Sequence, residues 1–405
     1  MAEQAAEIAV QSYETDPALL DALRQPGAIV DAPDDDDRVL VGAIRLTDRF
    51  AVALHGADDG TFAPVALLRW GFDGWRTARP GDGVSAFVAG VPLASERPIT
   101  VDQTHASVVV GERAIVKWFR TVGPGPSRAA TLLAHLDAVG FHGIPRPLGS
   151  LSWRSPAGVP LAIAQGDAFL AGARDGWVWC VDRAEADDRA AATGAEIGAL
   201  VAALHRALAL RSAVIPGPFA IAAAAEVAGW RTAALRTLDE AIDLTNGSDG
   251  DELRAWAPAM REILAGIATD EAIPLQPVHG DLHVGQILEW SGGLAVIDFD
   301  GNPAIGDAGN ALRQPVERDL AQVAVSLDHV GRVVGGRRGD RADPRAEAWI
   351  AAARTAFFAA VGPHDGRLRD AFEVEQECRE LVYAARYLPV WRPVPMATLR
   401  ARYGR

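Results

Sequence analysis

Two short stretches hold the residue types that chemistry needs: Val278-His279-Gly280-Asp281-Leu282-His283-Val284-Gly285-Gln286, and then Val296-Ile297-Asp298-Phe299-Asp300-Gly301. Each sets a carboxylate beside backbone that must bend sharply, and only enough residues for a short hairpin separate them. Phosphoryl transfer needs a carboxylate to orient the attacking hydroxyl and take its proton, and oxygen ligands to hold Mg²⁺ across the nucleotide phosphates. Asp281 suits the first task. Gln286 can offer a side-chain carbonyl to the metal, and Asp298, at the end of the apolar run Leu294-Ala295-Val296-Ile297, a charged oxygen. Two other readings compete. His279, Asp281 and His283 alternate, so on an extended strand they would share a face and could ligate a metal, but no further His-rich motif completes such a site. Asp281 and Asp298 could also be loop carboxylates without chemistry, against which the correct order of two motifs argues. His279 and His283 read as structural, bonding the loop as buried polar groups must.

Protein kinases use the same order of parts, H-R-D-x-x-x-x-N followed by D-F-G. Here the order is His279-Gly280-Asp281, Gln286, then Asp298-Phe299-Asp300-Gly301. This combination resembles the aminoglycoside phosphotransferase-like kinases, and Gln286 in place of Asn is similar to their maltokinase branch. The run Asp298-Phe299-Asp300-Gly301-Asn302-Pro303 looks most like the glucosamine kinases related to maltokinases. The resemblance spans roughly residues 100 to 400. It implies a two-lobed, protein-kinase-like α+β fold with a β-rich N-terminal cap and a helical C-lobe. The segments implied are a cap over 1–95, nucleotide-binding strands and hinge over 96–170, and the helical lobe over 171–405. The activity implied is ATP- and Mg²⁺-dependent phosphorylation of glucosamine to glucosamine 6-phosphate. Alternatives are a maltokinase, an aminoglycoside phosphotransferase, and a pseudokinase that binds nucleotide and sugar without turnover.

The elements that must position these residues can be traced upstream. Short apolar runs, Val39 to Leu46, Phe50 to Leu54, Phe62 to Trp70 and Val84 to Ala89, are broken by Gly, Asp and Pro and predict antiparallel strands. A hairpin follows, Val108-Val109-Val110 and Ala114 to Phe119 around Gly111-Glu112. In a kinase the turn before such strands covers the phosphates and a strand Lys pairs with them. Thr104 to Ser107 is the candidate turn and Lys117 the candidate cation. The expected partner Glu is missing from the helical stretch Ser127 to Val139, which offers only Asp137. Val159 to Gln165 predicts a buried strand leading to a hinge at Ala164, Gln165 and Gly166. Helical spacing marks Ala192 to Leu210, Leu253 to Ile267, Glu317 to Val330 and Trp349 to Val361. Asp175-Gly176-Trp177 resembles a maltokinase feature. For the acceptor, Asp300, Glu317 and Asp319 offer carboxylates beside Asp281, and Tyr387 and Trp391 offer rings to stack on a sugar. Asp300 could face metal or sugar. Glu317 and Asp319 also suit a helix N-terminus, and Trp391 suits core packing.

Composition bounds the rest. The 405 residues are 49% hydrophobic and carry a net charge of −14, which suits a folded protein and argues against a nucleic-acid partner. Cys180 and Cys378 are too few for a disulfide framework or a zinc site. Met1 to Leu20 lacks the basic start and apolar run of a signal peptide. Ser212 to Ala225, the longest uncharged segment, is too short for a bilayer and holds Pro216 and Pro218. The expectation is a cytoplasmic protein, more readily a monomer, with a small-molecule sugar as partner and no membrane.

Overall fold

The structure, a computed structural model, describes residues 11–25, 28–29, 39–56, 62–71, 74–91, 94–99, 106–119, 127–186, 189–268, 272–302 and 311–404. It divides into two compact units, Met1–Asp137 with Pro145–Ala171, and Ala138–Ile144 with Gly172–Arg405. The first is β-rich and the second helical, a mixed α+β fold.

In the first unit the described elements are β1 (Gln11–Tyr13), α1 (Pro17–Leu23), β2 (Val39–Arg45), β3 (Phe50–Gly56), β4 (Phe62–Gly71), β5 (Gly74–Thr77), α2 (Val84–Val88), β6 (Glu96–Ile99), β7 (Ala106–Val110), β8 (Ala114–Trp118), α3 (Arg128–Ala138), β9 (Pro147–Arg154) and β10 (Pro160–Ala168). Strands β2 to β5 make one antiparallel sheet; a six-stranded sheet runs β1-β9-β10-β8-β7-β6. Side chains alternate across β2 and β3. Ile44, Val52 and Leu54 join Val108, Val116, Trp118 and Trp153 in one core, while Ala43, Ala51 and Ala53 receive Leu19, Leu20 and Leu23 of α1. Residues on both sides of position 95 thus share a core, and β1 pairs with β9 in parallel.

One predicted strand is a helix instead. Val84 to Ala89 forms α2 because the Glu96 carboxylate accepts from the backbone N–H groups of Gly81, Gly83 and Ala86 at 2.7, 3.1 and 2.6 Å. Those donors sit around a helix start, where backbone N–H groups lack partners and a negative charge is favourable. Ser85 adds an anchor, its hydroxyl accepting from Trp118 Nε1 at 3.0 Å.

The second unit holds α4 (Gly176–Glu185), α5 (Ala190–Leu208), β11 (Ala220–Ile221), α6 (Ala224–Leu244), α7 (Gly247–Leu264), β12 (Pro274–Pro277), β13 (Ile287–Trp290), β14 (Gly293–Val296), β15 (Arg313–Gln314), α8 (Glu317–Arg337), α9 (Pro344–Val361), α10 (Gly366–Arg386) and α11 (Pro393–Tyr403). The helix α8 is its axis. Every residue from Glu317 to Arg332 is buried, polar ones included. Such a helix is stable only if each polar side chain finds a partner. Arg318 pairs with Glu375 at 3.0 Å, His329 with Glu377 at 3.0 Å and Asp328 with Arg354 at 3.2 Å. The apolar core around α10 gathers Leu238, Leu253, Met260, Ala321, Phe372 and Leu381. Among the described residues no helix is long and apolar enough to cross a membrane. Cys180 and Cys378 are both buried and unpaired, and burial pushes the Cys180 thiol up to about 12.

Candidate active site

The stretch from Val278 to His283 has no regular structure and Val284–Gln286 forms a single 3-10 turn, so most of its backbone N–H groups need outside partners, and α8 supplies them. Asp319 Oδ2 accepts from His279 N at 2.9 Å and Oδ1 from Gly280 N at 2.8 Å. Gln322 Oε1 accepts from Leu282 N at 3.0 Å, and the Ser326 hydroxyl from Val284 N at 3.1 Å. Positions 319, 322 and 326 share one face of a helix, where three or four residues advance about 5 Å, close to the ~6.6 Å that two extended residues span. The polar stripe therefore matches alternate N–H groups of the loop. His205 Nε2 lies 3.0 Å from Asp319 Oδ2 and completes the set. Burial opposes ionisation of Asp319, but the hydrogen bond and attraction from His205, together with the Gly280 N–H, outweigh it and hold the carboxyl below its ordinary range.

His279 is wholly buried, and burial pushes its imidazole below its ordinary pKa. Its Nε2 is 2.8 Å from the Ile297 carbonyl, and its Nδ1 accepts from Asp281 N at 3.3 Å. A carbonyl only accepts, so the proton of the neutral ring sits on Nε2. The residue is structural, as its sequence suggests. His283 likewise caps the following turn, its Nδ1 accepting from Gly285 N at 3.1 Å.

The loop presents Asp281, whose carboxyl is raised by burial, opposed by His283 and His279, raised further by Asp298 and lowered by a hydrogen bond from Asn302. Asn302 Nδ2 donates to Asp281 Oδ1 at 2.9 Å. The hairpin of β13 and β14 pairs Ile287 with Val296, and Ile297 N donates to Gln286 O at 2.9 Å. This register sets Gln286 beside Asp298, and Gln286 Nε2 donates to Asp298 Oδ2 at 3.3 Å. Asp298 adopts φ 65°, a left-handed conformation uncommon outside glycine, and is exposed while Phe299 beside it is buried against His279. The donor set fits Mg²⁺: a hard carboxylate and an amide whose second polar atom is an oxygen. Among the described residues no cluster of three His, Cys, Asp or Glu could hold a metal. Mg²⁺ differs from zinc in relying on one or two carboxylates together with substrate phosphates.

The same loop is pressed from behind by α4. Asp175 caps that helix, accepting from Val178 N at 3.0 Å, and Trp179 Nε1 donates to the Ile287 carbonyl at 2.8 Å. A Cβ on Gly176 would lie 1.8 Å from the Val284 carbonyl oxygen, so only glycine permits this approach. The motif Asp175-Gly176-Trp177 therefore supports the loop that bears Asp281.

In the first unit, register puts Ser107 opposite Lys117 and Lys117 opposite Gln165, a row across β7, β8 and β10. Ser107 thus lies within a strand and is buried, where a turn was expected; Thr104 lies outside the described residues. The hinge expected at Ala164, Gln165 and Gly166 is also revised. These residues sit in mid-strand with β8 on one edge and β9 on the other, so their backbone groups are committed to the ladders. The strand continues to Ala168, and the chain leaves the first unit after Ala171.

Of the expected acceptor residues, the structure removes two. Asp319 is wholly buried with both oxygens engaged by the loop and His205, and Glu317 is buried with Oε1 accepting from Asp365 N at 3.0 Å. Asp300 is half-buried and Tyr387 is exposed, its ring against Tyr383. Trp391 Nε1 donates to Glu380 Oε2 at 2.8 Å, and its ring meets Trp177 and His329 edge-on. Sequence pattern gives Glu380, Gln322 and Ser326 no role and marks Asn302 only as part of the run from Asp298 to Pro303. The stripe at 319, 322 and 326 was legible as helical spacing of polar residues; nothing local marked Glu380.

The ordered motifs and this geometry agree with comparison to known proteins. Residues 96–329 match the phosphotransferase enzyme family. The chain belongs to that family. Among members of this phosphotransferase family, it is 38% identical over 395 residues to a glucosamine kinase of Streptacidiphilus jiangxiensis, covering 87% of this chain and 89% of that one. It is 34% identical to a glucosamine kinase of Mycolicibacterium smegmatis, covering 84% and 92%. A solved glucosamine kinase in complex with glucosamine, ADP and inorganic phosphate is 34% identical, with a TM-score of 0.81 over 96% of this chain and 99% of that one. The kinase-like α+β fold and the aminoglycoside phosphotransferase-like resemblance are both borne out.

Proposed function

We propose that the protein is an ATP-dependent glucosamine kinase forming glucosamine 6-phosphate. The observation that carries this reading is the likeness to glucosamine kinases along nearly the whole chain, joined to a site in which Asp281, Gln286 and Asp298 keep hydrogen-bonded geometry. Asp281 orients the carbon 6 hydroxyl and accepts its proton, the primary hydroxyl being the least hindered. Gln286 and Asp298 hold Mg²⁺, which when bound neutralises charge on the transferring phosphoryl group. Lys117, in the row with Ser107 and Gln165, meets the nucleotide phosphates. Asp300 stands two positions from Asp298, which suits the metal end of the site.

Glucosamine differs from glucose at carbon 2, across the ring from carbon 6. The carboxylate that reads the amine should therefore stand away from Asp281, and Glu380, paired with the Trp391 indole, is our candidate. A charge-assisted hydrogen bond to the ammonium contributes about 1.5–3 kcal/mol, and Trp391 offers a ring face to the sugar. We place this activity in the cytoplasm, where ATP is available.

The test is a comparison of kcat/KM for glucosamine, glucose, N-acetylglucosamine, maltose and an aminoglycoside at fixed ATP and Mg²⁺. Glucosamine should lead. N-acetylglucosamine should be poorest among the hexoses, because acetylation removes the charge and adds bulk. Maltose or the aminoglycoside outperforming glucosamine overturns the assignment.

A further inference from the structure

We propose that Asn302 is a positioning residue for the transfer step, fixing one oxygen of Asp281 so that the other is presented to the acceptor hydroxyl; this rests on the kinase reading above. A carboxylate rotates about a broad, two-fold torsion, so a loop alone does not fix where its oxygens point. The structure holds the backbone of Asp281 through His279 Nδ1 at 3.3 Å and its side chain through Asn302 Nδ2 at 2.9 Å. Asn302 reaches it from a turn in which Asp298 and Gly301 both take positive φ, 65° and 82°, folding residue 302 back across the loop.

The residue type matters. An ionised Asp at 302 accepts but cannot donate and would repel Asp281, and Ala offers nothing. Asn is a short side chain that donates without adding charge, and its amide reaches further than a Ser or Thr hydroxyl. Its amide must turn the nitrogen to Asp281, since the alternative orientation sets a carbonyl oxygen against a carboxylate. The same bond favours the ionised carboxylate, the form that can accept the hydroxyl proton.

The experiment is a double-mutant cycle of Asn302→Ala with Asp281→Asn, together with Asn302→Asp, measuring kcat, both KM values and thermal stability. The acceptor is whichever sugar of the panel the parent phosphorylates. Asn302→Ala should lower kcat by about 10²-fold, the cost of an ångström-scale misplacement, with both KM values nearly unchanged. Asn302→Asp should lose at least as much. In the Asp281→Asn background Asn302→Ala should have almost no further effect, because the group it positions is already disabled. Equal losses in both backgrounds, or an unchanged kcat in Asn302→Ala, overturn the proposal. An error in naming glucosamine shows instead in the parent's substrate profile, and a parent inactive on every sugar overturns both readings.

Discussion

Asp319 on α8 accepts from the backbone N–H groups of His279 and Gly280 with its two oxygens, so a single buried carboxylate fixes the entry to the loop that bears Asp281. The charge and the loop conformation are thereby coupled: neither is stable without the other. Asp319→Ala should cost about 3–5 kcal/mol, as when one partner of a buried pair is removed, and should lower kcat as well. Thermal unfolding and steady-state kinetics measure both.

The same residue sets a pH dependence. Its folded-state carboxyl lies below the ordinary range, so its contribution is complete above the unfolded value of about 3.9 and is lost as pH falls through the depressed folded value. Denaturant unfolding from pH 7 down to pH 2 should therefore show a deficit of Asp319→Asn that is constant above about pH 4 and narrows as pH falls below it. A deficit that does not narrow below about pH 4 contradicts this assignment.

Asp298 and Gln286 differ in what they offer a metal, a charged oxygen against a neutral one. Asp298→Ala should abolish Mg²⁺-dependent turnover, whereas Gln286→Asn, shorter by a methylene, should raise the Mg²⁺ requirement while retaining activity. Mg²⁺ titrations of both variants provide the check, and titrations identical to the parent's remove them as ligands.

Gly176 is a packing demand at a distance in sequence from the chemistry. Gly176→Ala puts a methyl 1.8 Å from the Val284 carbonyl, which the loop can relieve only by moving. Overpacking of this kind costs about 1–3 kcal/mol. A lowered melting temperature accompanied by a fall in kcat is expected; a variant matching the parent in both shows that the contact yields freely.

Glu380 and Trp391 bear on specificity rather than rate. Glu380→Gln keeps a hydrogen-bonding side chain beside the indole but removes the charge, so discrimination between glucosamine and glucose should fall about tenfold or more while glucose turnover persists. The ratio of the two kcat/KM values measures it. An unchanged ratio assigns amine recognition elsewhere.

The parts of the proposed site legible in the sequence were those whose proposed role compels a local pattern: Asp281, Gln286 and Asp298 stand out by order and spacing, and Lys117 by its place in a hairpin. The acidic pair at the start of α8 was misplaced because a carboxylate in a first helical turn looks alike whether it faces a ligand or a loop; only the burial of Asp319 and its two backbone donors decide. The strand expected at Val84 failed because Glu96, well outside any local window, supplies the acceptors that stabilise a helical turn. The hinge expected at Gln165 fell within the strand because the apolar run breaks at Gln165 whereas the β10 ladder continues to Ala168.

In the proposed reaction phosphate passes from ATP to the carbon 6 oxygen of glucosamine with Asp281 as proton acceptor. Its most direct measurement is ³¹P and ¹³C NMR of the product formed from ATP and glucosamine by the parent and by Asp281→Asn. The parent should yield a phosphate monoester coupled to carbon 6, and the variant should form it slower by about 10² to 10⁴, the contribution of a positioned acid–base group. A phosphate on any other oxygen, or product from Asp281→Asn at the parent's rate, contradicts the account.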